Sequence, residues 1–190
     1  NHCTAVATRY RGRIHAYEPW NEPLTTKYWS GSVADIGRLT ILASQAIKAA
    51  DPDALIVGCA PSAPVVGPAY LSQYLAVPGV VAALDVVGCH CYVQPDEPEL
   101  VIELARAFRQ AADENGAAGL PMWCTEFGIS QFYNANTFYP DADPTQTPAS
   151  LAVSYIQRYM LAAWLGGFSR AYWYGWDHSA MKLTLVDQTT

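Results

Sequence analysis

Two glutamates, Glu22 in "AYEPWNEP" and Glu126 in "PMWCTEF", stand 104 residues apart, each at the end of a short run of apolar and aromatic residues. Only 15% of the chain is charged, so acidic groups set among Trp, Tyr and Pro are candidates for chemistry rather than for a solvated face. A pair of carboxyl groups can divide the work of cleaving a glycosidic bond. One acid protonates the leaving oxygen, and an ionised partner attacks the anomeric carbon or activates water. Ion pairs and helix caps also use carboxylates, so the pair matters more than either member. Pro19 and Pro23 directly follow Glu18 and Glu22. A proline biases the residue before it toward extended geometry and brings no N–H of its own. The stretch therefore reads as a strand end entering a loop, with Glu22 extended at the corner.

Groups so far apart in sequence need a scaffold that brings them together. Five short apolar or β-branched runs recur, "RIHAYEP" from Arg13, "ALIVGCA" from Ala54, "LDVVGCH" from Leu84, "PMWCTEF" from Pro121 and "RAYWYGW" from Arg170. Helical spacing fills the gaps between them. "SVADIGRLTILASQAIKAA" opens on the S-x-x-D start signal of Ser32 and Asp35, with apolar residues recurring along one face. "PAYLSQYLAV" is a shorter candidate, and "EPELVIELARAFRQAADENG" runs from Glu97 and Glu99 to Gly116. A last helix runs from Thr147 and Pro148 to Gly166. Strand–helix alternation with near-continuous apolar strands predicts an α/β protein built on a parallel sheet.

The polar residues of interest gather at the C-terminal ends of the strands: Glu22, then His90 and Tyr92, then Glu126, then Trp176, Asp177 and His178. A (β/α)8 barrel distributes its chemistry in this way. A dinucleotide-binding sheet would carry a G-x-G-x-x-G turn, and none is present. Eight units at the observed strand spacing would need about 312 residues, within the range of such barrels. Residues 1–190 are thus expected to form a single partial barrel domain. It would hold strands four to eight and lack the first three strands and the last helix.

Eleven basic residues against 17 acidic ones give a net charge of −6, with no basic cluster for nucleic-acid phosphates. The uncharged stretch from Ala54 to Leu84 is broken by four prolines and three glycines, which leaves no membrane-length span. The opening "NHCTAVATRYRGR" has no apolar signal-peptide core. Five cysteines without C-x-x-C spacing do not decide the compartment. Cys89 and Cys91 flank His90, but residues i and i+2 share the opposite strand face, so they read as small buried apolar groups and not zinc ligands. No metal or cofactor is expected.

"PWNEP", "HCY" and "TEFG", in that order, resemble motifs of the clan A glycoside hydrolases, the cellulase-like and β-xylosidase-like retaining enzymes on a (β/α)8 barrel. The resemblance implies that Asn21 and Glu22 end the fourth barrel strand, with Glu22 as acid/base and Asn21 on the sugar 2-hydroxyl. It implies that Glu126 ends the seventh strand as nucleophile and accepts a hydrogen bond from Tyr92. His90 would contact the sugar or Glu22, and Trp176 or Trp173 would form a platform beneath the sugar. Trp20 would help exclude water around Glu22. The substrate implied is a β-linked oligosaccharide or polysaccharide. The clan also uses an arginine and other polar groups from the early strands, so the N-terminal part of the same barrel is the expected partner.

Glu18 either crowds Glu22 as a like charge or pairs with a barrel arginine. Tyr28, Trp29, Phe132, Tyr133, Phe138 and Tyr139 are candidates for further sugar subsites or for packing within their loops. A truncated barrel that holds carbohydrate without cleaving it is the rival reading. An aldolase-like barrel would want a lysine at a strand end, whereas Lys27, Lys48 and Lys182 fall in loops or helices.

Overall fold

In a computed structural model, which describes residues 2–62, 65–93, 96–128 and 148–175, the alternating pattern becomes five parallel strands in sequential order. The strands are β1 (Ala16–Tyr17), β2 (Leu55–Gly58), β3 (Val86–His90), β4 (Met122–Phe127) and β5 (Arg170–Trp173). The helices are α1 (His2–Arg9), α2 (Val33–Ala50), α3 (Gly67–Leu75), α4 (Val80–Ala83), α5 (Leu100–Glu114) and α6 (Pro148–Leu165). Together they form a curled half-barrel. No described helix is long and apolar enough to cross a membrane.

The pleat divides each strand between two environments. Ile56, Val87, Cys89, Met122 and Cys124 join the main core with residues of the helices, whereas Val57, Val86 and Trp123 form a separate cluster with Ala16 and Leu55. The second group lies on the concave face, so the strands are apolar on both sides, as their continuous runs require. Cys89 and Cys91 are fully buried in the main core, away from His90.

Helix starts follow the sequence signals. Ser32 Oγ accepts from the Asp35 N–H at 3.2 Å, and Asp35 accepts from the Ser32 N–H at 2.9 Å, a complete capping box. Glu97 and Glu99 lie just before α5, where both accept from Arg158 of α6, at 2.7 and 2.6 Å. They tie two helices together as well as favouring the helix start by their charge. The short helices α1 and α4 were not expected. Thr147, Phe132, Tyr133, Phe138, Tyr139, Trp176, Asp177, His178 and Lys182 lie outside the described residues.

Gly58 shows how tightly strands meet helices. A Cβ there would stand 2.5 Å from Leu84 Cδ2 and 2.8 Å from the Tyr74 hydroxyl. Gly58→Ala is therefore expected to overpack the core and cost about 1–3 kcal/mol, read as a lower midpoint in denaturant unfolding. An unchanged midpoint would show that this contact yields freely.

Candidate active site

Glu22 does not sit at the end of an extended strand. The ladder of β1 stops at Tyr17, five residues earlier. Pro19 lacks an N–H, so the chain leaves the sheet. Glu22 adopts φ 44°, in the left-handed region, and its carbonyl accepts from the Thr25 N–H at 3.0 Å. The extended geometry expected before Pro23 is overridden by this turn, which lifts the carboxylate over the ends of the strands. Such a backbone costs about 1–3 kcal/mol at a residue other than glycine.

His90 and Glu126 arrive by strand pairing. Register places them opposite one another in the β3–β4 ladder, with irregularities between Cys89 and His90 and between Cys124 and Phe127. Breaks of this kind re-aim side chains at strand ends. The Cys91 N–H bonds the Glu126 carbonyl at 3.0 Å, and the Tyr174 N–H bonds the Phe127 carbonyl at 2.7 Å. Three consecutive strand ends are thus held at a common height.

The side chains converge there. His90 Nδ1 lies 2.9 Å from Glu22 Oε1 and 3.6 Å from Glu126 Oε2. The Tyr92 hydroxyl donates to Glu126 Oε1 at 2.6 Å. The His90 side chain is 1% exposed, Glu22 16% and Glu126 22%, so both carboxylates keep an opening to solvent while the imidazole between them does not. One proton can occupy the Glu22–His90 contact. Nδ1–H donates to an ionised Glu22, or a protonated Glu22 donates to Nδ1. Burial, then the hydrogen bond to Glu126 and its charge, pushes Tyr92 well above the ordinary phenol range, so it remains a donor.

Nδ1 of His90 and one oxygen from each of Glu22 and Glu126 lie within 4.8 Å of one another. Among the described residues this is the only convergence of three groups able to ligate a metal. Hydrogen bonds from Tyr92 and within the Glu22–His90 contact already engage its members.

The other predicted residues are placed differently. Trp20 is 39% exposed, meets Trp29 edge-on at 5.3 Å and donates to the Tyr28 carbonyl at 3.2 Å. Its ring belongs to the loop, where Trp20, Asn21, Tyr28, Glu18 and Pro19 line a cavity of about 470 Å³. Trp29 packs partly on the main core and bonds the Ser32 carbonyl, so it serves the loop's own structure. Trp173 is half-buried, meets Phe127 edge-on at 5.4 Å and packs partly on the main core. Lys48 pairs with Asp85 at 2.9 Å on the helix side.

Three participants were not anticipated. Tyr174 acts electrostatically on Tyr92. Thr125 donates to Glu18 at 3.0 Å, and a Cβ on Gly88 would stand 2.7 Å from the same Glu18 oxygen. An isolated glycine inside the apolar run "VVGCH" was the available signal, because it marks a close approach of another group. No described arginine pairs with Glu18; its partner is the Thr125 hydroxyl.

No family model and no curated protein sequence matches the chain. Solved structures do. A glucosidase from Croceicoccus marinus superposes with a TM-score of 0.68 at 15% identity, over 94% of this chain and 38% of its own. A glycoside hydrolase family 39 β-xylosidase from Caulobacter crescentus gives 0.66 at 22% identity, over 92% and 37%. A family 128 endo-β-1,3-glucanase from Amycolatopsis mediterranei gives 0.66 at 16%, over 97% and 71%. The chain thus spans under two fifths of the length of the first two. These neighbours are glycoside hydrolases, and what they share with this chain is the fold: the curled five-stranded sheet is a portion of a (β/α)8 barrel.

Proposed function

We propose that the chain is a single partial catalytic domain of a retaining glycoside hydrolase, which cleaves β-glycosidic bonds by double displacement. The observation that carries this reading is the convergence of Glu22 and Glu126 on His90, with donor atoms within 4.8 Å and Tyr92 bonded to Glu126. Retaining enzymes hold their two carboxyl groups about 5–5.5 Å apart, whereas inverting enzymes leave about 6.5–9.5 Å for a water. The close approach of Glu22 and Glu126 favours retention.

In the first step an ionised Glu126 oxygen attacks the anomeric carbon while Glu22 gives its proton to the departing oxygen. The product is a glycosyl ester on Glu126. In the second step Glu22 takes a proton from water, the water oxygen attacks the same carbon, and Glu126 leaves as carboxylate. His90 orients Glu22, and Tyr92 orients Glu126. Asn21 binds the 2-hydroxyl, the cavity beside Trp20 and Tyr28 receives part of a β-linked saccharide, and Trp176 supplies the platform. Barrel strands one to three complete the pocket.

Proton NMR of the first sugar released from an aryl β-glycoside tests the reading, using the chain alone and together with the N-terminal part of its barrel. The β-anomer is expected to appear first. Initial release of the α-anomer would overturn double displacement.

The exposed rings of Trp20 and Tyr28 beside the cavity favour a second reading, carbohydrate binding without cleavage. Saccharide binding by calorimetry, with no hydrolysis even after the barrel is completed, would select it.

A further inference from the structure

Glu18 has no task in the displacement above, yet three strands meet at its carboxyl. Its Oε1 accepts from Thr125 Oγ1 on β4, across 107 residues of chain. Below it lies Gly88 of β3, where a Cβ would stand 2.7 Å from that oxygen, 2.9 Å from Val57 Cγ1 and 3.0 Å from the Gly58 carbonyl. The seat exists only because residue 88 has no side chain. Thr125 immediately precedes Glu126 in the chain.

We propose that Glu18 is a positioning residue, which fastens the end of β4 to the end of β1 over Gly88 and so fixes Glu126 relative to Glu22. The meaning of that distance rests on the double-displacement reading. The fastening itself can be tested without turnover.

The groups acting on Glu18, or acted on by it, are His90 and Cys89 from β3, Glu126 from β4, Cys59 beyond β2 and Tyr74 from α3. None of these is a lysine or arginine. Glu18 is exposed at the cavity it lines with Pro19, Trp20 and Asn21, and its desolvation comes from the side on which Oε1 lies against Thr125 and Gly88. That desolvation raises it to about 7, opposed by His90 and Thr125 and assisted by Glu126. In the acid form, a proton on Oε2 leaves Oε1 free to accept from Thr125.

The test is a carboxyl-carbon NMR titration of the full chain, with backbone amide signals followed in parallel. One glutamate is expected to titrate near pH 7, to vanish in Glu18→Gln, and to fall toward the ordinary 4.5 in Gly88→Ala, where the seat is filled. The Thr125 and Glu126 amide signals should move through the same midpoint. They should keep their wild-type positions in Glu18→Gln, whose amide oxygen still accepts, and shift in Glu18→Ala.

Stability gives an independent reading. Between about pH 4.5 and 7 the folded state holds a proton that the unfolded chain has lost. The contribution is fully present below pH 4.5 and is lost as pH rises through 7. Glu18→Gln should remove this slope from the thermal midpoints. If every glutamate of the wild type titrates below pH 6, or if Gln and Ala at position 18 disturb β4 equally, the proposal is overturned. Either result leaves the double displacement to stand or fall on product stereochemistry.

Discussion

Glu126→Gln is expected to lower hydrolysis by about 10⁴-fold or more and to leave saccharide affinity within about tenfold. The amide is nearly isosteric with the carboxylate, and its oxygen can still accept from Tyr92, so the pocket keeps its shape. It lacks the charged oxygen that forms the glycosyl ester. A group needed only in the reaction shows its loss in turnover rather than in binding. Steady-state kinetics and calorimetry on the same preparation separate the two quantities. In Glu126→Ala, where the side chain is removed, added azide should restore part of the rate by attacking in place of Glu126, giving a glycosyl azide of inverted configuration. If Glu126→Gln keeps a tenth of the activity, another group is the nucleophile.

Glu22→Gln is expected to divide substrates by their leaving groups. Loss of general acid catalysis costs about 10²–10⁴-fold where the departing oxygen is an alkoxide, as in an oligosaccharide. An activated nitrophenolate departs without a proton, so ester formation from that substrate should change little. The second step then loses its base. Release of the aryl group should become a rapid burst followed by a slow phase as the glycosyl ester accumulates. The Gln amide can replace the Glu22–His90 contact, so the comparison reports proton transfer and not a collapsed site. Equal losses in kcat/KM, which reports ester formation, on oligosaccharide and activated glycoside would remove Glu22 from the acid/base role.

The parts of the fold that depend on local chemistry could be read from the chain. "ALIVG" and "LDVVG" carry enough apolar surface to be buried on both faces, and Ser32 with Asp35 names the start of α2. The termini of β3 and β4 followed directly, whereas the approach of His90 to Glu126 did not. Elements set by tertiary contacts could not be read. The four residues of α4 begin without a side-chain cap, and the eight of α1 have no acidic residue in their first turn. They are helical because the core around Ala7 and Val80 holds them, both being fully buried. The proline rule at Glu22 failed for the same reason. The seat of Glu18 joins residues 107 apart in sequence, and only Gly88 hinted at it.

In the acid/base role proposed above, the left-handed backbone of Glu22 would set activity against durability. Glycine reaches that φ without steric cost, so the backbone alone would be better served by a residue with no carboxylate. The protein keeps the acid at the expense of part of its resistance to unfolding, and folds of this size have only about 5–15 kcal/mol in total. Selecting variants of this chain for heat tolerance alone would therefore enrich those that have given up the carboxylate at position 22.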